Sequence, residues 1–380
     1  MATFKFSVKG QEGAIPCLGL GTATLKGELC TSAVRSAIKL GYVRDATARY
    51  GARPCAAAPR QLPLSLPPTS QRHIDTALLY DNQAAVGEAI AQAIAAGEVT
   101  RAELFVTTKV SFYPPAADGV SHFVPICFNA NNIKGNERAG IAECLRLLRL
   151  DYVDLLLIHN PLTALDEYAA AAAPHAFELG RSILTADERA LILARRLAAV
   201  RYDGPAGEAV RAASWAALEE ARAAGFARFI GVSNYPAQLV SAMESYASVM
   251  PAVNQLELHP RMGSPALRAL AAATGMVLTA YGSGNSVTIE KSAAVAAVAA
   301  RRGLTPHAVV QAWTLAHGVV IIPRTADAAK QAASVALAAR AAAGAVLEPA
   351  DVAELDALDE AHPYYWSPMA VLPPGAQPDK

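Results

Sequence analysis

Short apolar runs bounded by turn residues alternate along this chain with longer stretches whose apolar positions recur at helical spacing. Runs at 18–21, 73–77, 104–108, 153–158, 229–232, 253–258, 276–281 and 319–322 have the length and character of buried strands. Between and after them, 31–40, 82–96, 136–148, 214–224, 236–245, 265–273, 290–301, 306–316 and 349–361 read as helices. Val86, Ile90 and Ile94 mark one apolar face of the second helix, and Asn82 stands before it as N-cap. Thr31 is placed as N-cap of the first helix, and Gly41 ends it. Ahead of the first strand, 4–8 alternates apolar and polar residues and 10–13 reads as a turn before Ile15, which predicts a small hairpin.

Eight strands separated by helices predict an α/β fold, a (β/α)8 barrel with parallel strands. An open doubly wound sheet has the same rhythm but needs a phosphate-binding glycine fingerprint after its first strand. Gly19-Leu20-Gly21 lacks the third glycine and runs into Thr22-Ala23-Thr24, so the open sheet is rejected.

Two kinds of stretch break the rhythm. Positions 43–71 hold five prolines and four arginines without a clean period, between a helix and a strand. A connection of that kind lies on the bottom of a barrel, where lengthening a loop costs little. An insertion that is disordered and chemically silent is expected there. The connections 110–135 and 161–213 instead follow strands, so they belong to the face where barrels carry their chemistry. The first contains Phe112, Tyr113 and Phe123; the second contains a helix at about 186–200, with Thr185 as N-cap.

Composition narrows the function classes. The 380 residues have zero formal net charge and a 53% hydrophobic content, enough for one large barrel domain. Charge balance argues against a broad nucleic-acid or anionic-membrane surface. No apolar run is long enough to span a bilayer, and the opening residues lack the apolar core of a signal peptide. The five cysteines, Cys17, Cys30, Cys55, Cys127 and Cys144, include no C-x-x-C pair. Reduced thiols, a cytoplasmic setting and a monomer are expected. No H-E-x-x-H and no histidines at ligand spacing suggest a metal.

The candidate chemistry lies at three strand ends. They deliver Asp75 with Tyr80 in the following loop, then Lys109, then His159. Strand ends of a parallel barrel all point to one face, so residues far apart in sequence can meet there. Each alone has a plain alternative: a turn aspartate, a half-buried tyrosine, an exposed lysine, a turn histidine before Asn160-Pro161. In order and context, however, the chain resembles the aldo-keto reductase family. The resemblance is carried by Ile15-Pro16-Cys17-Leu18-Gly19-Leu20-Gly21-Thr22, Arg72 to Ala77 with Tyr80-Asp81-Asn82, Thr108-Lys109, and Tyr152 to Pro161. It continues through Gly231-Val232-Ser233-Asn234, Asn254-Gln255-Leu256-Glu257 and Ile322-Pro323-Arg324.

That resemblance implies an NADPH-dependent reductase of aldehydes or simple ketones, with the hairpin plugging the barrel bottom. It implies Tyr80 as proton donor, Lys109 lowering the pKa of the phenol, Asp75 holding Lys109, and His159 orienting the substrate carbonyl. For the cofactor it implies Thr22, Asp75, Ser233, Asn234 and Gln255, with Tyr281 stacking on the nicotinamide; in a pyrophosphate loop that departs from the family's, Ser283 or Ser286 is expected to stand in as phosphate donor. Arg324 and Lys330, with Thr325 and the free N–H groups of the last barrel helix, would grip a 2′-phosphate. Phe112, Tyr113, Asn160, Tyr365 and Trp366 would line the substrate pocket, the last two from a tail at 362–380. Such a pocket favours aromatic or medium-chain aldehydes over sugars. Gly282-Ser283-Gly284-Asn285-Ser286 departs from the family's pyrophosphate loop, Gln83 replaces a glutamate, and Ala333 and Ser334 replace the adenine contacts. A nucleotide-binding regulatory subunit of the same fold, with little turnover, is the alternative function.

Overall fold

The computed structural model describes residues 3–41, 72–110, 136–161, 205–282, 292–344 and 346–360. The insertion at 43–71, the helix expected at 186–200 and the tail at 362–380 lie outside them. β1 (Thr3–Val8) and β2 (Gln11–Pro16) form the antiparallel hairpin, turning at Gly10 with φ +80°. The barrel strands are β3 (Leu20–Gly21), β4 (Arg72–Asp75), β5 (Leu104–Val110), β6 (Val153–Ile158), β7 (Ala227–Ser233), β8 (Val253–Glu257), β9 (Val277–Tyr281) and β10 (Val320–Ile321). They pair in parallel, in chain order. A parallel bridge between Leu18 and Ile321 closes the circle, with Gly19 N–H donating to Ile321 O at 2.8 Å and Ile321 N–H to Cys17 O at 2.9 Å. The (β/α)8 fold with its hairpin is as the sequence predicts.

The helices are α1 (Gly27–Lys39), α2 (Gln83–Ala95), α3 (Glu137–Leu148), α4 (Pro205–Ala223), α5 (Ala237–Ala242), α6 (Pro265–Thr274), α7 (Ala293–Arg302), α8 (Pro306–Ala316), α9 (Ala328–Ala343) and α10 (Pro349–Asp356). α8 has the expected bounds because its signals are local: Thr305 accepts from Ala308 N–H, and Pro306 opens the first turn. α1 does not. It starts at Gly27, and Thr31 lies inside it, its Oγ1 donating to Gly27 O and Ala85 O. α4 likewise begins at Pro205, nine residues before the expected start.

Two apolar layers result from the period of two. Strand residues Ile74, Val106, Leu156, Ile158, Ile230, Val232, Leu278 and Ile321 face the helices. Phe105, Leu155, Leu157, Phe229, Val253, Val277 and Val320 fill the barrel together with Phe6 and Ile15 of the hairpin. Phe6 meets Phe229 edge-on with ring centres 4.8 Å apart, so the hairpin plugs one end. Burying each such side chain stabilises the fold by about 1.5–3 kcal/mol. His73 also points inward: its Nε2 lies 3.0 Å from Thr107 Oγ1, and its ring is edge-on to Phe105. A Cβ on Gly19 would meet His73 Nδ1 at 2.5 Å, so only glycine leaves room for this ring.

Candidate active site

The same alternation selects the polar residues of the mouth. Asp75 shares the inward side of β4 with His73, Lys109 that of β5 with Phe105 and Thr107, and His159 follows Leu155 and Leu157. Ser233, Gln255 and Tyr281 stand on the inward sides of β7, β8 and β9 in the same way. All six therefore face the barrel interior, from Gln255 at the middle of β8 to His159 just past the end of β6.

Lys109 is the centre of the constellation. It lies within β5 and not beyond it, and both it and Asp75 are fully buried. Its Nζ donates to Asp75 Oδ1 at 2.7 Å, to Thr76 O at 3.0 Å and to Tyr80 Oη at 3.3 Å. The three ammonium protons are thus all used. Burial works to lower the Lys109 pKa, but the Asp75 carboxylate and the Tyr80 phenol outweigh it, and the pKa is raised. Tyr80 sits half-buried on a single 3-10 turn, Leu78–Tyr80. Its pKa is raised, first by burial and also by Asp75, with Lys109 pulling the other way. The expected lowering by Lys109 is present but smaller than the effect of burial, so the phenol remains protonated at neutral pH.

His159 meets Tyr80 edge-on, with ring centres 5.6 Å apart. Burial, then the Lys109 charge, holds its pKa well below the ordinary value, so the imidazole is neutral. The arrangement thus presents a neutral phenol and a neutral imidazole side by side, backed by a fixed ammonium.

The residues expected to bind the cofactor form a connected rim. Gln255 Nε2 donates to Asp75 Oδ2 at 2.7 Å, and Ser233 Oγ to Gln255 O at 2.7 Å. Asn234, with φ +62°, donates through Nδ2 to His159 O at 2.9 Å and to Ser233 Oγ at 3.1 Å. Tyr281 Oη donates to Asn234 Oδ1 at 2.8 Å, which fixes the ring at the mouth, half-exposed. Thr22 is buried and gives both its N–H and its hydroxyl to Asp75 O, each at 3.0 Å.

Arg324 and Lys330 are exposed, and Arg324 donates to Ala23 O at 3.3 Å and to Thr24 Oγ1. The helix they belong to differs from expectation. α9 opens at Ala328, not at 322–325, and Asp327 caps it by accepting from Ala329 N–H at 2.8 Å and Lys330 N–H at 3.3 Å. Those two N–H groups are not free, so an anion would be held by side chains: Arg324, Lys330 and the Thr325 hydroxyl, which accepts from Asp327 N–H. Asn82 also departs from its expected use. It stands at the N-cap position, but Nδ2 donates to Thr22 O at 2.7 Å and Leu25 O at 2.9 Å while Oδ1 accepts from Thr76 at 3.0 Å. It laces two mouth loops together, a use that no local signal announces, and the same holds for the Thr76 carbonyl on Lys109.

Gln83 is buried and donates to Thr108 Oγ1 behind the site. Asn160 is fully buried after His159. Phe112, Tyr113, Ser283, Ser286, Tyr365 and Trp366 lie outside the described residues. Among those described, no group of acidic, histidine and cysteine side chains could hold a metal, and no helix is long and apolar enough to cross a membrane.

Comparison with known proteins bears on the family and the fold. The model of the Aldo/keto reductase family matches residues 18–360. An aldo/keto reductase of Synechocystis sp. is 28% identical over 82% of this chain and 77% of its own length. A methylglyoxal reductase of Escherichia coli O157:H7 is 29% identical, covering 82% of each chain. Among solved structures, the aldo-keto reductase of Bombyx mori, in complex with NADP, superposes with a TM-score of 0.63. It is 23% identical, over 96% of this chain and 95% of that one.

Proposed function

Because the chain belongs to the aldo/keto reductase family, we propose that it reduces aldehydes or simple ketones to alcohols with NADPH, Tyr80 donating the proton. The observation that carries this reading is the buried Lys109 ammonium, 2.7 Å from Asp75 Oδ1 and 3.3 Å from Tyr80 Oη. A phenol is a weak acid, with an ordinary pKa of about 10. It gives up a proton readily only where the resulting phenolate meets a fixed positive charge. Asp75 keeps that charge on Lys109 despite burial. His159, neutral and edge-on to Tyr80, orients the carbonyl oxygen toward the phenol by a hydrogen bond.

The rim suits the cofactor. Ser233, Asn234 and Gln255 present amide and hydroxyl groups beside the half-exposed Tyr281 ring, which suits a flat carboxamide-bearing ring. Arg324 and Lys330 supply exposed cations for a phosphate. When bound, NADPH supplies the hydride. The Bombyx mori protein holds NADP, and the Escherichia coli relative is named for methylglyoxal, a small carbonyl compound.

The test is aldehyde-dependent loss of NADPH absorbance beside NADPH affinity by protein fluorescence, for wild type and Tyr80→Phe. Losing the general acid lowers turnover by about 10²–10⁴-fold while affinity holds. Near-normal turnover of the variant overturns the assignment. Tight NADPH binding without turnover by the wild type would instead favour the regulatory alternative.

A further inference from the structure

We propose that Lys26 is a positioning residue for Tyr80, holding the turn that carries the phenol through its main chain. The inference rests on the reading of Tyr80 as proton donor. Tyr80 sits on one 3-10 turn, whose own backbone bonds are Tyr80 N–H to Ala77 O at 3.1 Å and Asp81 N–H to Leu78 O at 3.2 Å. The chain then passes through Asp81 in the left-handed region, with φ +50° and ψ +43°. So short a turn has little stiffness of its own, yet Tyr80 Oη must stay 3.3 Å from Lys109 Nζ.

Two side chains hold the turn to the loop between β3 and α1. Asn82 does so from the buried side. From the outer side, Lys26 Nζ donates to Tyr80 O at 2.7 Å, to Asp81 O at 3.1 Å and to Asp81 Oδ2 at 3.2 Å. All three ammonium protons thus end on one turn. The lysine backbone is itself fixed, since Lys26 is the N-cap residue of α1 and its carbonyl accepts from Cys30 N–H at 3.2 Å.

The ion pair within this arrangement adds little to stability. The Lys26 and Asp81 side chains are 47% and 77% exposed, and ion pairs so exposed contribute little. What the three bonds define is the position of the Tyr80 carbonyl, and through it the reach of the phenol. A displacement of about 1 Å at a reacting group costs up to about a hundredfold in rate.

The test compares Lys26→Met, which keeps the stem and drops the ammonium, with Lys26→Arg. In Lys26→Met, kcat for aldehyde reduction should fall about tenfold, while NADPH affinity stays within about twofold and thermal stability is near wild type. Hydrogen exchange at the Tyr80 and Asp81 amides should accelerate, and Lys26→Arg should restore most of both. Unchanged exchange in Lys26→Met overturns the clamp, and faster exchange with unchanged kcat overturns its role in positioning. If the wild type reduces no aldehyde, the reading of the site fails, while exchange still decides on the clamp.

Discussion

Replacing Asp75 by Asn removes one charge and leaves the shape of the site nearly intact, so its effect can be worked through. Asp75 Oδ1 is the anionic partner of a fully buried ammonium, and Oδ2 accepts from Gln255. Taking away one member of a buried pair costs about 3–5 kcal/mol, because the other charge is left in a poor solvent. Lys109 has an escape, which is to lose its proton. Neutralising an ordinary lysine of pKa about 10.4 at pH 7 costs about 4.6 kcal/mol, at 1.36 kcal/mol per unit. The two routes agree, and the second caps the loss.

They also fix its pH dependence. In the wild type the Lys109 pKa is raised, so its contribution is fully present below the unfolded value and is lost only as pH rises through the folded one. In Asp75→Asn the folded pKa falls below the unfolded one, so the unfolded chain holds the extra proton and the penalty shrinks as pH rises. The stability gap between the two proteins should therefore close by about 1.4 kcal/mol per unit between pH 7 and 10. Urea unfolding followed by the fluorescence of the buried Trp215 and Trp313 reads this directly. The double variant Asp75→Asn/Lys109→Met should regain part of the loss at pH 7, since it buries no charge. A gap that does not change with pH, or a double variant less stable than the single, refutes the reasoning.

His73 is expected to make the fold acid-sensitive. Burial, with Lys109 nearby, lowers its pKa to about 3 from an ordinary 6.5, so protonation favours the unfolded chain below 6.5. Stability should fall as pH drops through that window toward 3, by up to about 1.4 kcal/mol per unit, and less steeply in His73→Asn. Equal slopes in urea titrations of the two proteins would show that His73 is not the cause. Arg324→Ala should weaken NADPH about ten- to a hundredfold, since a charge-assisted bond contributes about 1.5–3 kcal/mol. NADH, which lacks the 2′-phosphate, should be nearly unaffected. Equal weakening of both by fluorescence titration would mean that Arg324 serves the loop through Thr24 and Ala23 and not the phosphate.

Strand and helix order was legible in the sequence because apolar period is a local property. Val153–Ile158 and Pro306–Ala316 have the expected bounds, the latter because Thr305 and Pro306 are signals that act within one turn. Where an element ends through contacts with distant parts, the local signal misleads. α1 begins at Gly27, with no side-chain cap at Lys26, so Thr31 is an N-cap in pattern only. Asn82 has the pattern of a cap but does not act as one, because tertiary contacts with Thr22, Leu25 and Thr76 claim its side chain.

The site divides in the same way. Asp75, Tyr80, Lys109 and His159 are legible as strand-end residues in an ordered series, but alternation along β5 cannot say which of Thr108 and Lys109 faces the axis. Closure of the barrel at Leu18 and Ile321 decides it, because only in a closed sheet is one face of every strand enclosed. That enclosure carries Lys109 Nζ to Asp75, from another strand, and to Tyr80, from the loop after it. It also removes the water that would otherwise solvate each group separately, so the Asp75 carboxylate and the Tyr80 phenol hold the charge on Lys109.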